Sequence, residues 1–288
     1  MQSKIRFSAH SRIWFYDFNS NSKTILSKVR EFGYNGVEIP VQAADIDRKK
    51  LKASLEEEPA LVPIVSVGGN AEEDLSSANQ AIEKNGIRLI QRAIDFCSEI
   101  GGNLICGPMY TAVGKLRYYT PSERKAVLKR MCGAFQEIAE FAEERRIEIA
   151  IEPLCRYDTS ILNTVDQGFE LVEMASKDNI GLLLDTFHMN IEEKSIYDSI
   201  IRASSKKIFH FHASESDRGT PGEGNIVWDS VFKALNHIKY KRWIGVESFS
   251  LEDPKGAAKM RVWRKLAASQ DDLARNGLRF LKGKLASS

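Results

Sequence analysis

The chain has 288 residues, 43% apolar and 28% charged, the proportions of an ordinary globular protein and not of a disordered, collagen-like or disulfide-scaffolded one. Its 41 Lys and Arg stand against 39 Asp and Glu, a formal charge of +2. That balance argues against a protein devoted to nucleic acid, because neutralising phosphates needs a clear basic excess. The length suits two ordinary domains or one α/β barrel of about 250 residues.

Taken in order, short apolar runs read as strands over Ile5–Phe7, Gly36–Ile39, Leu61–Val65, Asn103–Cys106, Glu148–Glu152, Gly181–Asp185, Ile208–His212 and Trp243–Glu247. Helical periodicity follows each of them, over Thr24–Phe32, Arg48–Glu57, Ala78–Ile100, Pro121–Arg145, Val165–Ala175, Ile196–Ser204, Trp228–His237 and Asp271–Leu281. Several helices carry start signals. Thr120 precedes Pro121 and stands three residues before Glu123, Thr164 stands three before Gln167, and Ser269 is followed by Asp271 and Asp272 in the first turn. No Pro- or Ser-rich linker divides the chain. Eight strands alternating with eight helices predict a single (β/α)8 TIM barrel over residues 1–288, with the active site at the C-terminal ends of the strands. A doubly wound open sheet is the alternative, but the Gly-rich phosphate turn expected after its first strand is absent.

The four cysteines, Cys97, Cys106, Cys132 and Cys155, form no CxxC pair and read as reduced thiols of a cytoplasmic protein. The opening Met1 to Phe7 has no apolar signal core, and no apolar run approaches the 18 or so residues of a membrane span.

Four polar residues close four successive strands: Glu152, Asp185, His212 and Glu247. Three carboxylates and an imidazole converging at one height would repel one another unless something positive lay between them. A divalent cation resolves this, and a set of three oxygens and one nitrogen suits Mn2+, Mg2+ or Co2+ better than a thiophilic metal. His210 and His212 are read as pointing to opposite faces, with His212 toward the site and His210 packed. His237 reads as structural, and His10, just beyond the first strand, is a candidate for the mouth of the site. Phe7, Trp14, Tyr16, Met109 and Tyr110 are candidate wall residues, although most such side chains are core.

The residues around these strand ends resemble the ketose 3-epimerases, the group typified by D-tagatose and D-psicose (D-allulose) 3-epimerases, within the xylose-isomerase-like barrels. The segment Glu152 to Thr164 is similar to their strand-five motif, Leu184 to Glu193 to their most distinctive motif, and His212 to Arg218 with Pro221 to Gly224 to their strand-seven segment. Val246 to Phe249 and Val262 to Arg264 extend the likeness, and Gly36 to Glu38 and Gly107 to Tyr110 are weaker pieces of it.

The resemblance implies one divalent metal ion, Mn2+ first and Mg2+ or Co2+ next, held by Glu152, Asp185, His212 and Glu247. Glu152 and Glu247 would be the acid/base pair, with Asp158, His188 and Arg218 binding the substrate. It implies epimerisation of free ketoses of the D-tagatose/D-sorbose, D-fructose/D-psicose or L-ribulose/L-xylulose type, by removal and return of the C3 proton through an enediolate. The partner is then a small ketose, with no nucleic acid and no membrane, and assembly is as a homodimer or homotetramer. Asp158 stands where the family usually has Glu, and Cys155 where it often has Asn. That departure leaves room for a related reaction on the same site: an aldose–ketose or hydroxypyruvate-type isomerase, or a lyase acting on a 3-keto glycoside. A sugar-binding barrel without activity would need no intact ligand set. An apurinic-endonuclease-like enzyme would need a richer histidine cluster than five histidines supply.

Overall fold

The computed structural model describes residues 5–287. The signal-free N-terminus read at Met1 to Phe7 lies partly outside them. Eight parallel strands, β1 (Arg6–His10), β2 (Gly36–Pro40), β3 (Val62–Ser66), β4 (Leu104–Gly107), β5 (Glu148–Ile151), β6 (Ile180–Asp185), β7 (Ile208–His212) and β8 (Trp243–Val246), close into a barrel in sequence order. β1 pairs with both β2 and β8, so no sheet edge is left among them. The doubly wound alternative is thereby excluded.

The outer ring is α1 (Phe18–Phe32), α2 (Arg48–Glu56), α3 (Gln80–Glu99), α4 (Pro121–Glu143), α5 (Val165–Ala175), α7 (Ile196–Lys207), α8 (Trp228–His237) and α10 (Gln270–Ala286). Two helices were not expected, α6 (Thr186–Glu192) and α9 (Pro254–Lys259), both in loops at the strand C-termini. Their shortness, seven and six residues, leaves too few turns for a periodic signal. The expected start signals hold. Thr120 and Glu123 form a reciprocal capping box, and Ser269 accepts from the Asp272 N–H. At α5 the box is shifted: Thr164 accepts from the Gln167 N–H, but Gln167 reaches back to the N–H of Asn163. Among the described residues no helix is long and apolar enough to cross a membrane.

Strand alternation divides the core in two. Phe7, Ala9, Val37, Ile39, Val65, Ile105, Ile149, Ile151, Leu182 and Leu184 pack outward under the helices in one large cluster. Their neighbours Ile64, Leu104, Cys106, Ala150, Leu183 and Trp243 form a separate cluster that fills the barrel interior. Carried one step toward the C-terminal ends, this inward parity reaches Glu152, Asp185, His212 and Glu247. The strand period therefore aims all four at one point, above an apolar plug that excludes water from below.

Candidate active site

Asp185 and His212 are register partners across β6 and β7, and His212 faces Gly245, two residues before Glu247, across β7 and β8. The ligand atoms of Glu152, Asp185, His212 and Glu247 all lie within 4.8 Å of one another, in buried residues. Asp185 is also the N-cap of α6. Its Oδ1 accepts from the Phe187 N–H at 2.8 Å, which fixes the carboxylate and turns Oδ2 toward the cluster. Oδ2 accepts from Ser214 Oγ at 3.2 Å and from Arg218 Nη1 at 2.6 Å, and the same Nη1 donates to Glu247 Oε2 at 2.8 Å. The Arg218 guanidinium also stacks over Phe187, 4.2 Å from the ring centroid.

The four groups do not share one charge state. Burial, and then the charge of Glu247, pushes the Glu152 carboxyl well above the usual carboxylate range. Burial works against ionisation of Asp185 and Glu247 as well, but Arg218 outweighs it at Asp185, and His212 and Arg218 outweigh it at Glu247, holding both low. One carboxyl of the pair thus holds a proton while the other is ionised. That is the division of labour an acid/base pair requires.

His212 tests whether a metal fits. Its Nδ1 is buried without a hydrogen-bond partner, and lies 3.7 Å from Asp185 Oδ2 and 3.6 Å from Glu247 Oε2. Burial opposes a charge on this ring, yet the carboxylates of Glu38 and Glu247 raise its pKa well above the ordinary value. An orphaned nitrogen facing two carboxylates is a place that draws in positive charge, and three oxygens with one nitrogen are a fitting set for a hard or borderline divalent ion.

His188 lies on α6, three residues past Asp185. Its Nδ1 accepts the Cys155 backbone N–H at 3.0 Å, so the neutral ring carries its hydrogen on Nε2. Burial and then Arg218 push its pKa down to about 4, keeping it neutral. Nε2 lies 3.9 Å from Glu152 Oε1 and 3.2 Å from Arg218 Nη2. Two donors therefore face one small space, where an oxygen between them would accept from both.

Asp158 is buried but turned to other partners. It pairs with Arg261, and Oδ2 lies 3.4 Å from Cys155 Sγ. Arg261, half exposed at 50%, ties the segment after α9 to the loop after β5 across the mouth. The wall candidates are core instead. Phe7 belongs to the outward cluster, Trp14 donates from Nε1 to Asp271 at 2.8 Å, and Tyr110 donates to the Leu162 carbonyl at 3.2 Å.

His210 and His212, expected on opposite faces, share one: residues two apart in a strand point the same way. His210 Nε2 contacts Glu38 Oε1 at 3.0 Å and His212 Nε2 contacts Glu38 Oε2 at 2.8 Å. His210 is nonetheless fully buried and packed, as read. His10 does line the site, 3.8 Å from Glu247 Oε1, and His237 sits against Tyr197 at the end of α8. Sequence reasoning passed over Glu38, Ser8 and Ser214. The signal for Glu38 was available: an acid inside the apolar run Gly36–Ile39.

The chain matches the xylose isomerase-like TIM barrel family model over residues 26–283. It is 37% identical to a probable ketose 3-epimerase of Synechocystis sp. over 97% of this chain and 96% of the relative. It is 33% identical to an L-ribulose 3-epimerase of Methylomonas sp. over 97% of each chain. A crystal structure of D-allulose 3-epimerase from Methylomonas sp. in complex with D-allulose superposes with a TM-score of 0.91 at 33% identity, covering 98% of both chains. The chain belongs to the ketose 3-epimerase family. The family's chemistry is that of an isomerase of the epimerase class, and the strand-end residues described above are the part of this epimerase barrel that meets its substrate end.

Proposed function

We propose that this epimerase inverts C3 of free ketoses of the D-tagatose, D-fructose or L-ribulose type, using one divalent metal ion held by Glu152, Asp185, His212 and Glu247, with Mn2+ as first choice and Mg2+ or Co2+ as substitutes. The observation that carries the reading is the opposed proton state of Glu152 and Glu247, two buried carboxyls from β5 and β8 that converge on one point. The C3 hydrogen of a ketose is α to the C2 carbonyl and only weakly acidic. A cation bound among the four residues supplies the charge that polarises that carbonyl.

The chain's own residues do the rest. The ionised Glu247 takes the C3 proton, and Glu152, carrying a proton, returns one to the opposite face; the reverse reaction exchanges the two roles. His188 Nε2–H and Arg218 Nη2 donate to the sugar oxygen on which negative charge develops, without reorganising as they do so. The apolar interior below the site keeps bulk water from competing as acid or base. Asp158, drawn aside by Arg261, acts on the distal hydroxyls through that pair.

Free buried thiols at Cys97, Cys106 and Cys155 support a reducing, cytoplasmic setting, and assembly as a dimer or tetramer belongs to the same proposal. The Glu152→Gln and Glu247→Gln variants, assayed by chromatography of the C3 epimers, should each lose about 10²–10⁴ in kcat with the fold intact by circular dichroism. Either variant turning over at the wild-type rate would overturn the two-carboxylate scheme.

A further inference from the structure

We infer that Glu38, on β2, is a positioning residue that fixes which nitrogen of His212 faces the metal. The inference rests on the proposed metal site and concerns a residue outside the four ligands.

Glu38 is completely buried inside the barrel. Its carboxylate accepts from Ser8 Oγ at 2.7 Å and faces His210 Nε2 at 3.0 Å on the same oxygen, while the other oxygen faces His212 Nε2 at 2.8 Å. An ionised carboxylate can only accept, so both rings must present an N–H on Nε2. With the His212 hydrogen committed there, Nδ1 is the ring atom left to act as ligand. It is also the atom that lies buried without a partner between Asp185 and Glu247.

The arrangement carries a cost that a packing role does not explain. A buried carboxylate with no Lys or Arg among its hydrogen-bond partners is expensive unless positive charge lies close by. A cation on the far side of His212, reached through the ring, offsets it. The barrel also makes room for this group at the expense of a side chain. Gly245 is the register partner of His212, and a Cβ there would collide with Glu38 Oε1 while meeting Ser8 Oγ at 2.8 Å and His212 Cδ2 at 3.1 Å. Carboxylates that hold a ligating imidazole in this way typically govern metal affinity by 10- to 100-fold.

Titrating the metal-free, full-length protein with Mn2+, and following the free ion by electron paramagnetic resonance, tests this without reference to turnover. Wild type should bind one ion. Glu38→Gln, whose amide turns an N–H toward one of the two rings, and Glu38→Asp, which keeps the charge but pulls it back by one methylene, should both bind about 10- to 100-fold more weakly. The ketose KM at saturating Mn2+ should move by less than about twofold, since Glu38 does not reach the sugar.

Thermal melting of the metal-free variants checks the fold. Ser8→Ala, which removes a single donor, gives a milder weakening should the Glu38 variants fail to fold. Nitrogen NMR of the Mg2+-loaded wild type should show a slowly exchanging His212 Nε2–H that is lost in Glu38→Gln. Wild-type affinity in both Glu38 variants overturns the inference alone. Wild-type affinity in Glu38→Asp only would assign the effect to charge and overturn positioning. A second ion bound per chain through Glu38 and His210 would overturn it too, and no Mn2+ binding by wild type overturns the metal site itself.

Discussion

Replacing Arg218 with alanine removes a guanidinium that shares its oxygens with the proposed metal. Nη1 lies 2.6 Å from Asp185 Oδ2 and 2.8 Å from Glu247 Oε2, and the Arg218 side chain is only 12% exposed. Breaking a buried pair of this kind costs about 3–5 kcal/mol, and uptake of protons by the stranded carboxyls holds the figure to the lower end. In the metal-free variant the melting temperature should fall by about 6 °C, at roughly 2 °C per kcal/mol for a chain of this length. A divalent ion on the same two oxygens compensates them without the arginine, so the loss in the Mn2+-loaded protein should shrink to about 1 kcal/mol. The two stabilities and the two binding free energies form a closed cycle. Arg218→Ala must therefore bind Mn2+ more tightly by about 2 kcal/mol, or roughly 30-fold, while its turnover falls by about 10²–10³ through loss of the oxygen-binding donor. Calorimetric melts with and without Mn2+, together with a direct Mn2+ titration, measure all four sides of the cycle. Equal destabilisation in both states, or weaker Mn2+ binding by the variant, would refute the idea that arginine and metal share these oxygens.

Three further outcomes follow from the same geometry. Burial first of all brings the pKa of both His10 and His188 down to about 4. An unfolded imidazole takes up its proton near pH 6.5 and these folded ones only near 4, so the stabilisation is complete above pH 6.5 and is lost as the pH falls from 6.5 to 4. Each contributes up to about 3 kcal/mol, and His10→Gln should show a shallower decline of melting temperature across that window. Arg261→Ala should raise the hexulose KM by about 3- to 10-fold with kcat nearly unchanged, and alter stability by less than about 1 kcal/mol because the arginine is half exposed; steady-state kinetics and a melt separate the two effects. Gly245→Ala forces a Cβ against Glu38 and should cost about 1–3 kcal/mol. Gly133→Ala, in α4 with open space at the Cβ position, should instead stabilise by about 0.5–1 kcal/mol, and a parallel denaturant titration compares the pair.

The barrel and its ligand set were legible because they rest on short-range patterns. A strand buried on both sides is a run of Val, Ile and Leu, and Glu152, Asp185 and His212 stand out as the polar residues that end such runs. α5 and α8 matched their expected bounds to the residue, since capping and helical period agreed there. What could not be read depends on partners far apart in the chain. Glu38 meets His212 across 174 positions and Asp158 meets Arg261 across 103, and no local period reports either contact. α6 was hidden for another reason: Asp185 ends a strand and caps a helix at once, so the strand pattern masked the helix that carries His188. The mistaken facing of His210 was a matter of counting, because a period of two brings residues 210 and 212 to the same side of the strand.

The central claim is that a metal-assisted carboxylate pair removes and returns the C3 proton of a free ketose. Proton NMR in D2O, with purified protein, Mn2+ and D-fructose, D-tagatose or L-ribulose in turn, tests it most directly. The account predicts deuterium entering at C3 together with the signals of the C3 epimer, and loss of both in Glu152→Gln and Glu247→Gln. Deuterium at C1 with an aldose product, or no exchange with any free ketose in the presence of bound metal, would contradict it.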